Sequence, residues 1–187
     1  MGAFGLLGPA SRDAVIYNAT TPARDYTFQI SSAVSGAGGG VIAELYDATA
    51  ADAVVASTPR LVNVSVRKQI PAGTVLIAGF VIGGTTAKTV LIRTIGPGLT
   101  VFGVTGVMAD PKLDLYSGQV VIASNDNWGG EPQLAAAGAS VGAFAISDLT
   151  SRDAVLLATL APGAYTAQAS GVNNTGGVAL VEVYEVP

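Results

Sequence analysis

The chain has 187 residues, 13 acidic against nine basic for a net charge of −4, and it contains neither cysteine nor histidine. That double absence removes disulfides, thiolate–zinc sites, cysteine nucleophiles and histidine triads, leaving carboxylate, lysine or tyrosine chemistry for any reaction, so no enzyme activity is expected. Negative charge with scattered basic residues excludes a nucleic-acid partner. Charged residues make up 12% against about 25% in ordinary domains, and so weakly charged a surface favours association. The longest strongly apolar stretch, residues 75–82, is far shorter than the roughly 18 residues a spanning helix needs, so no membrane insertion is expected.

Runs rich in β-branched and aromatic residues, cut by Gly, Pro, Asn and Asp clusters, predict about eleven strands. In chain order they fall at 14–19, 26–31, 41–47, 61–68, 75–82, 89–95, 112–116, 120–124, 154–159, 164–170 and 178–185. Alternation in the fourth run sets Leu61, Asn63, Ser65 and Arg67 on one face and Val62, Val64 and Val66 on the other, which predicts that the valine face is buried. The fifth run is apolar on both faces, as expected for a central strand or one covered by a neighbour. A helix is predicted only at 131–138, where Pro132 suits a first turn; it should span at most two turns and cross one end of the fold. The expected class is all-β, a β-sandwich or jelly-roll-like fold with at most one short helix.

An internal duplication organises these elements. Shifted by 140 residues, positions 1–15 match positions 141–155 at eight of fifteen places, including Ser11-Arg12-Asp13-Ala14-Val15 against Ser151-Arg152-Asp153-Ala154-Val155. With one-residue slips the match continues through Tyr26-Thr27 against Tyr165-Thr166 and Glu44-Leu45-Tyr46 against Glu182-Val183-Tyr184. Such slips belong in turns, where insertions are tolerated. Residues 1–48 therefore read as the trailing three strands of a preceding repeat, and 49–187 as one complete β-sandwich repeat. An alternative division, in which the leading strands join those that follow, places two small sandwiches at 1–104 and 105–187.

The segments Arg60-Leu-Val-Asn-Val-Ser-Val-Arg67, Val90-Leu-Ile-Arg-Thr-Ile-Gly-Pro-Gly-Leu99, Ile122-Ala-Ser-Asn-Asp-Asn-Trp128 and Val181-Glu-Val-Tyr184 resemble tandem β-sandwich repeats of very large secreted or surface proteins of bacteria. The second half is also similar to bacterial pre-peptidase C-terminal domains in its Leu-Tyr, Ala-Ser-Asn-Asp and Pro-Gly-Ala-Tyr-Thr turns. The resemblance implies an extracellular or cell-surface location and a structural, spacer or adhesive role, and it carries no catalytic motif.

Candidate sites are few. Asn125, Asp126 and Asn127 offer part of a calcium shell, which needs six to eight oxygens, but turn chemistry explains the same triplet. Apart from calcium there, no cofactor is expected. Trp128 should pack over that loop rather than stack on a sugar. The repeated Arg12-Asp13 and Arg152-Asp153 read as local ion pairs or strand-leading turns, and Gly96-Pro97-Gly98 as a tight turn, since it lacks the Gly-Lys-Ser/Thr ending of a phosphate loop.

Three strands without the rest of their repeat barely hold together in water, so they need a partner. The interface residues expected on them are Val15, Tyr17, Tyr26, Phe28, Val41, Leu45 and Tyr46. If the partner is another copy, the contact runs head-to-tail and propagates. The function this predicts is a non-catalytic structural subunit of an extracellular bacterial fibre or surface array, with copies of itself as partners and no small-molecule ligand. The alternative is a calcium-dependent carbohydrate-binding or adhesive module.

Overall fold

The computed structural model describes residue 3, residues 5 and 6, and residues 8–187. Two compact units divide the chain, Met1–Leu61 and Val62–Pro187. All regular strands among the described residues belong to the second.

That unit is a sandwich of two four-stranded antiparallel sheets. Its elements are β1 (Asn63–Ile70), β2 (Leu76–Ile82), β3 (Lys88–Ile95), β4 (Pro111–Ser117), β5 (Val120–Asn125), α1 (Pro132–Ser140), β6 (Ala154–Leu160), β7 (Gly163–Gly171) and β8 (Gly177–Val186). One sheet runs β1-β8-β3-β6 and the other β2-β7-β4-β5. Gly118, in left-handed backbone at φ 58, closes the β4–β5 hairpin where a side chain would be strained. Val90 and Ile92 of β3 meet Leu113 and Leu115 of β4 between the sheets. Beside them Ile70, Met108, Ala169 and Val181 form a second buried group. A third lies on the outer face of the first sheet, where Ala137 of α1 and Trp128 cover Leu91, Val155 and Tyr184.

Several sequence expectations are corrected here. The helix forms with Pro132 in its first turn, but it covers a sheet face instead of crossing an end. The strand that is central and buried on both faces is β3; β2 sits at a sheet edge with Ile77 and Val81 exposed. The valine face of β1 is not buried: Val64 and Val66 lie across from Val183 and Val181, which point between the sheets, yet they stay 47% and 38% exposed at the open edge. Hydrophobic alternation reports which residues share a face, while burial requires something opposite that face. A boundary at residue 104 is excluded, because β1 pairs with β8, β2 with β7 and β3 with β6.

In the first unit the runs 14–19, 26–31 and 41–47 carry no strand, so eight strands form among the described residues where about eleven were predicted. Among its described residues a short 3-10 turn, Ala51–Ala53, is the one regular element. The three-stranded fragment is therefore not preformed, and the described residues of the leading unit present no sheet face to be covered. A strand needs ladder partners from elsewhere in the sequence, and here the hydrogen bonds described for residues 8–58 link neighbours two to four apart.

Candidate functional site

The chain's chemistry concentrates in two buried polar pins of the sandwich and in their counterparts in the leading unit. The first pin is Asp153, fully buried ahead of β6. Its Oδ1 accepts the amide of Gly96 at 2.7 Å, its Oδ2 accepts that of Gly98 at 3.0 Å, and the Ser151 hydroxyl donates to Oδ2 at 2.6 Å. These amides open the 3-10 turn Pro97–Phe102, whose first N–H groups have no partner inside the turn, so a carboxylate there satisfies them. Glycine is required at 96, where a Cβ would stand 2.1 Å from the Met108 carbonyl oxygen.

The second pin lies on the outer face of the first sheet. Arg93 of β3 donates through Nε to Glu182 of β8 at 2.9 Å, through Nη2 to the same carboxylate, and through Nη1 to the Phe144 carbonyl at 2.7 Å. Its guanidinium stacks 4.4 Å from the Phe144 ring centroid. Tyr184 donates its hydroxyl to the other Glu182 oxygen at 2.7 Å, and burial followed by that hydrogen bond pushes its pKa well above the usual value. All three Arg93 nitrogens and both Glu182 oxygens are thus engaged. The adjacent cleft, lined by Arg93, Trp128 and Phe144, holds about 90 Å³, far below the roughly 300–1,000 Å³ of small-molecule sites. Sequence reasoning passed over this pin, although opposite charges set inside the apolar runs Val90-Leu-Ile-Arg93 and Val181-Glu182-Val are a readable signal for it.

The leading unit repeats the local part of this chemistry. The Ser11 hydroxyl donates to Asp13 as Ser151 does to Asp153. Tyr26 donates to the Pro22 carbonyl at 2.9 Å, as Tyr165 does to that of Ala161 at 3.0 Å. Tyr46 donates to Glu44 at 3.1 Å, as Tyr184 does to Glu182. All seven interface residues named from the sequence are exposed, from Tyr46 at 39% to Tyr17 at 78%.

The remaining candidates are placed as follows. Asn125 ends β5; its amide donates to the Asn127 carbonyl at 2.9 Å and its Oδ1 accepts the Val155 amide at 3.0 Å. Asp126 accepts from the Asn127 side chain at 3.2 Å. Among the described residues no three acidic side chains gather in a metal-holding group. Trp128 is buried, its indole donating to the Asp148 carbonyl at 3.2 Å. Arg152 does not pair with Asp153; it reaches Asp110 at 2.6 Å, because Asp153 is turned inward to the glycine amides.

Fold and site together define a β-sandwich module with a strandless, apolar leading segment. No family model and no curated protein matches the chain. Among solved structures it is similar to the pre-peptidase C-terminal domain of a collagenase from Bacillus anthracis, with 13% identity and a TM-score of 0.41, covering 65% of this chain and 89% of that one. No helix among the described residues is long and apolar enough to cross a membrane.

Proposed function

We propose that this protein is a non-catalytic structural module of an extracellular bacterial fibre or surface array, joined head-to-tail to copies of itself by β-strand packing of its leading segment. One observation supports this reading: large apolar side chains such as Tyr17, Phe28, Ile30 and Ile42 stand exposed in a segment that repeats three strands of the sandwich. Many large apolar side chains left exposed along one segment favour its association with another surface. A contact between that segment and a different surface of the next copy is heterologous, and it extends into rows or fibres unless the rotation closes a ring. Nothing draws the reading toward a calcium-dependent carbohydrate binder, since Asn125 and Asp126 spend side-chain oxygens on their own loop and on Val155.

Sedimentation velocity and negative-stain microscopy of the full chain test the proposal. Polymers that lengthen with concentration and ignore chelator are expected; a monomer at every concentration refutes it. Turnover of any substrate that one carboxylate substitution abolishes refutes the non-catalytic part.

A further inference from the structure

We infer that the partner of residues 11–47 is the other half of a repeat of this kind, a polypeptide equivalent to residues 62–140 whose own three-strand seat is open. The inference rests on the assembly reading above and specifies what the leading segment grips.

Three observations carry it. The first is the pair of carboxylates. Asp153 and Glu182 each make one local hydrogen bond, which Asp13 and Glu44 reproduce, and one set of distant bonds: to the Gly96 and Gly98 amides, and to Arg93. Asp13 and Glu44 lie exposed, already shaped by their local bonds for a Gly-Pro-Gly turn and an arginine. Both of those features belong to the 62–140 half.

The second is the pattern at the core positions. Where the sandwich buries Ala167, Ala169 and Ala179, the leading segment has Phe28, Ile30 and Val41; where it buries Leu160 and Val181, the segment has Thr20 and Ala43. The inward positions of the repeat thus stay apolar in the copy except at Thr20, and apolar residues at such positions are the ones a folded protein covers. The segment is therefore patterned to pack, as one set, against an opposite half.

The third is the outer face. Val155 and Tyr184, which α1 and Trp128 cover, correspond to Val15 and Tyr46, so the partner must carry the covering segment through residue 140 as well as its strands. In this chain's own sandwich the seat is filled by β6, β7 and β8. In a polymer of this chain, a second copy offers it only after those strands withdraw.

The test places a second copy of residues 62–140 ahead of residue 1 of the full chain and follows amide hydrogen exchange by mass spectrometry. Exchange in residues 11–47 should slow on the order of a hundredfold relative to the unextended chain. Substituting both Asp13→Ala and Glu44→Ala should remove most of that protection while Val62–Pro187 keeps its own. A second version carries the extra half behind residue 187 on a flexible linker, so that misfolding of one fusion does not decide the matter. If residues 11–47 exchange as fast in both fusions as in the unextended chain, the inference is overturned. Filaments of the unextended chain without protection in the fusions keep the array and remove this partner; protection without filaments does the reverse.

Discussion

Asp153 accepts the Gly96 amide at 2.7 Å, joining the start of β6 to the end of β3 across 57 residues of sequence. Replacing it with alanine strands the Gly96 and Gly98 amides in a buried site. The expected loss is on the order of 3 kcal/mol, from two orphaned donors. Asp13→Ala should leave the sandwich unchanged, because the bonds described for Asp13 stay within its own turn. Denaturation followed by the fluorescence of Trp128, the one tryptophan and a buried residue of the sandwich, separates the two variants.

Glu182→Gln breaks a buried pair by neutralising one side of it, leaving the Arg93 guanidinium without its counter-charge. Such changes cost about 3–5 kcal/mol. The corresponding Glu44→Gln lies at an exposed position and should not shift the sandwich midpoint in urea. Equal losses from the two variants would show that the halves of the duplication are energetically coupled in the monomer.

Thr94 is fully buried on central strand β3, and its hydroxyl has no hydrogen-bond partner. Valine has nearly the same shape without the polar atom. Thr94→Val should therefore stabilise the sandwich by about 1 kcal/mol, the order of the desolvation cost of an unsatisfied hydroxyl. A thermal midpoint that falls in this variant would mean that the hydroxyl has a water partner.

The folded-state pKa of Tyr184 is raised above the ordinary value of 10.0, first by burial and then by its bond to Glu182. A group raised in the folded state contributes fully below its unfolded pKa and loses that contribution as pH climbs beyond it. Stability should accordingly decline above about pH 10, where the unfolded chain sheds the Tyr184 proton and the folded chain does not. Tyr184→Phe should flatten that decline, at the expense of the bond to Glu182. Unfolding midpoints measured across pH 8 to 11, a range chosen around the tyrosine pKa of about 10, give the comparison.

The eight strands of the sandwich were legible to within two residues at their ends, because β-branched runs such as Thr89–Ile95 are bounded by Gly and Pro at positions that admit no continuation. Partnership was not legible. The run 75–82 is more apolar than 89–95, yet the first sits at an edge and the second at the centre, since strand order depends on which remote segments pair. The polar pins escaped for the same reason: Arg93 and Glu182 are 89 residues apart, and only the β3–β8 register sets them opposite each other.

Composition alone determined that this chain lacks thiol and imidazole chemistry, and the duplication alone determined that residues 1–48 copy the end of the repeat. Local hydrogen bonds followed from sequence too, which is why Ser11, Tyr26 and Tyr46 make theirs without any strand around them. Tertiary structure decided which copy becomes a sheet. A β-ladder draws its bonds from distant chain, and only residues 154–186 have β3, β4 and their neighbours to pair with.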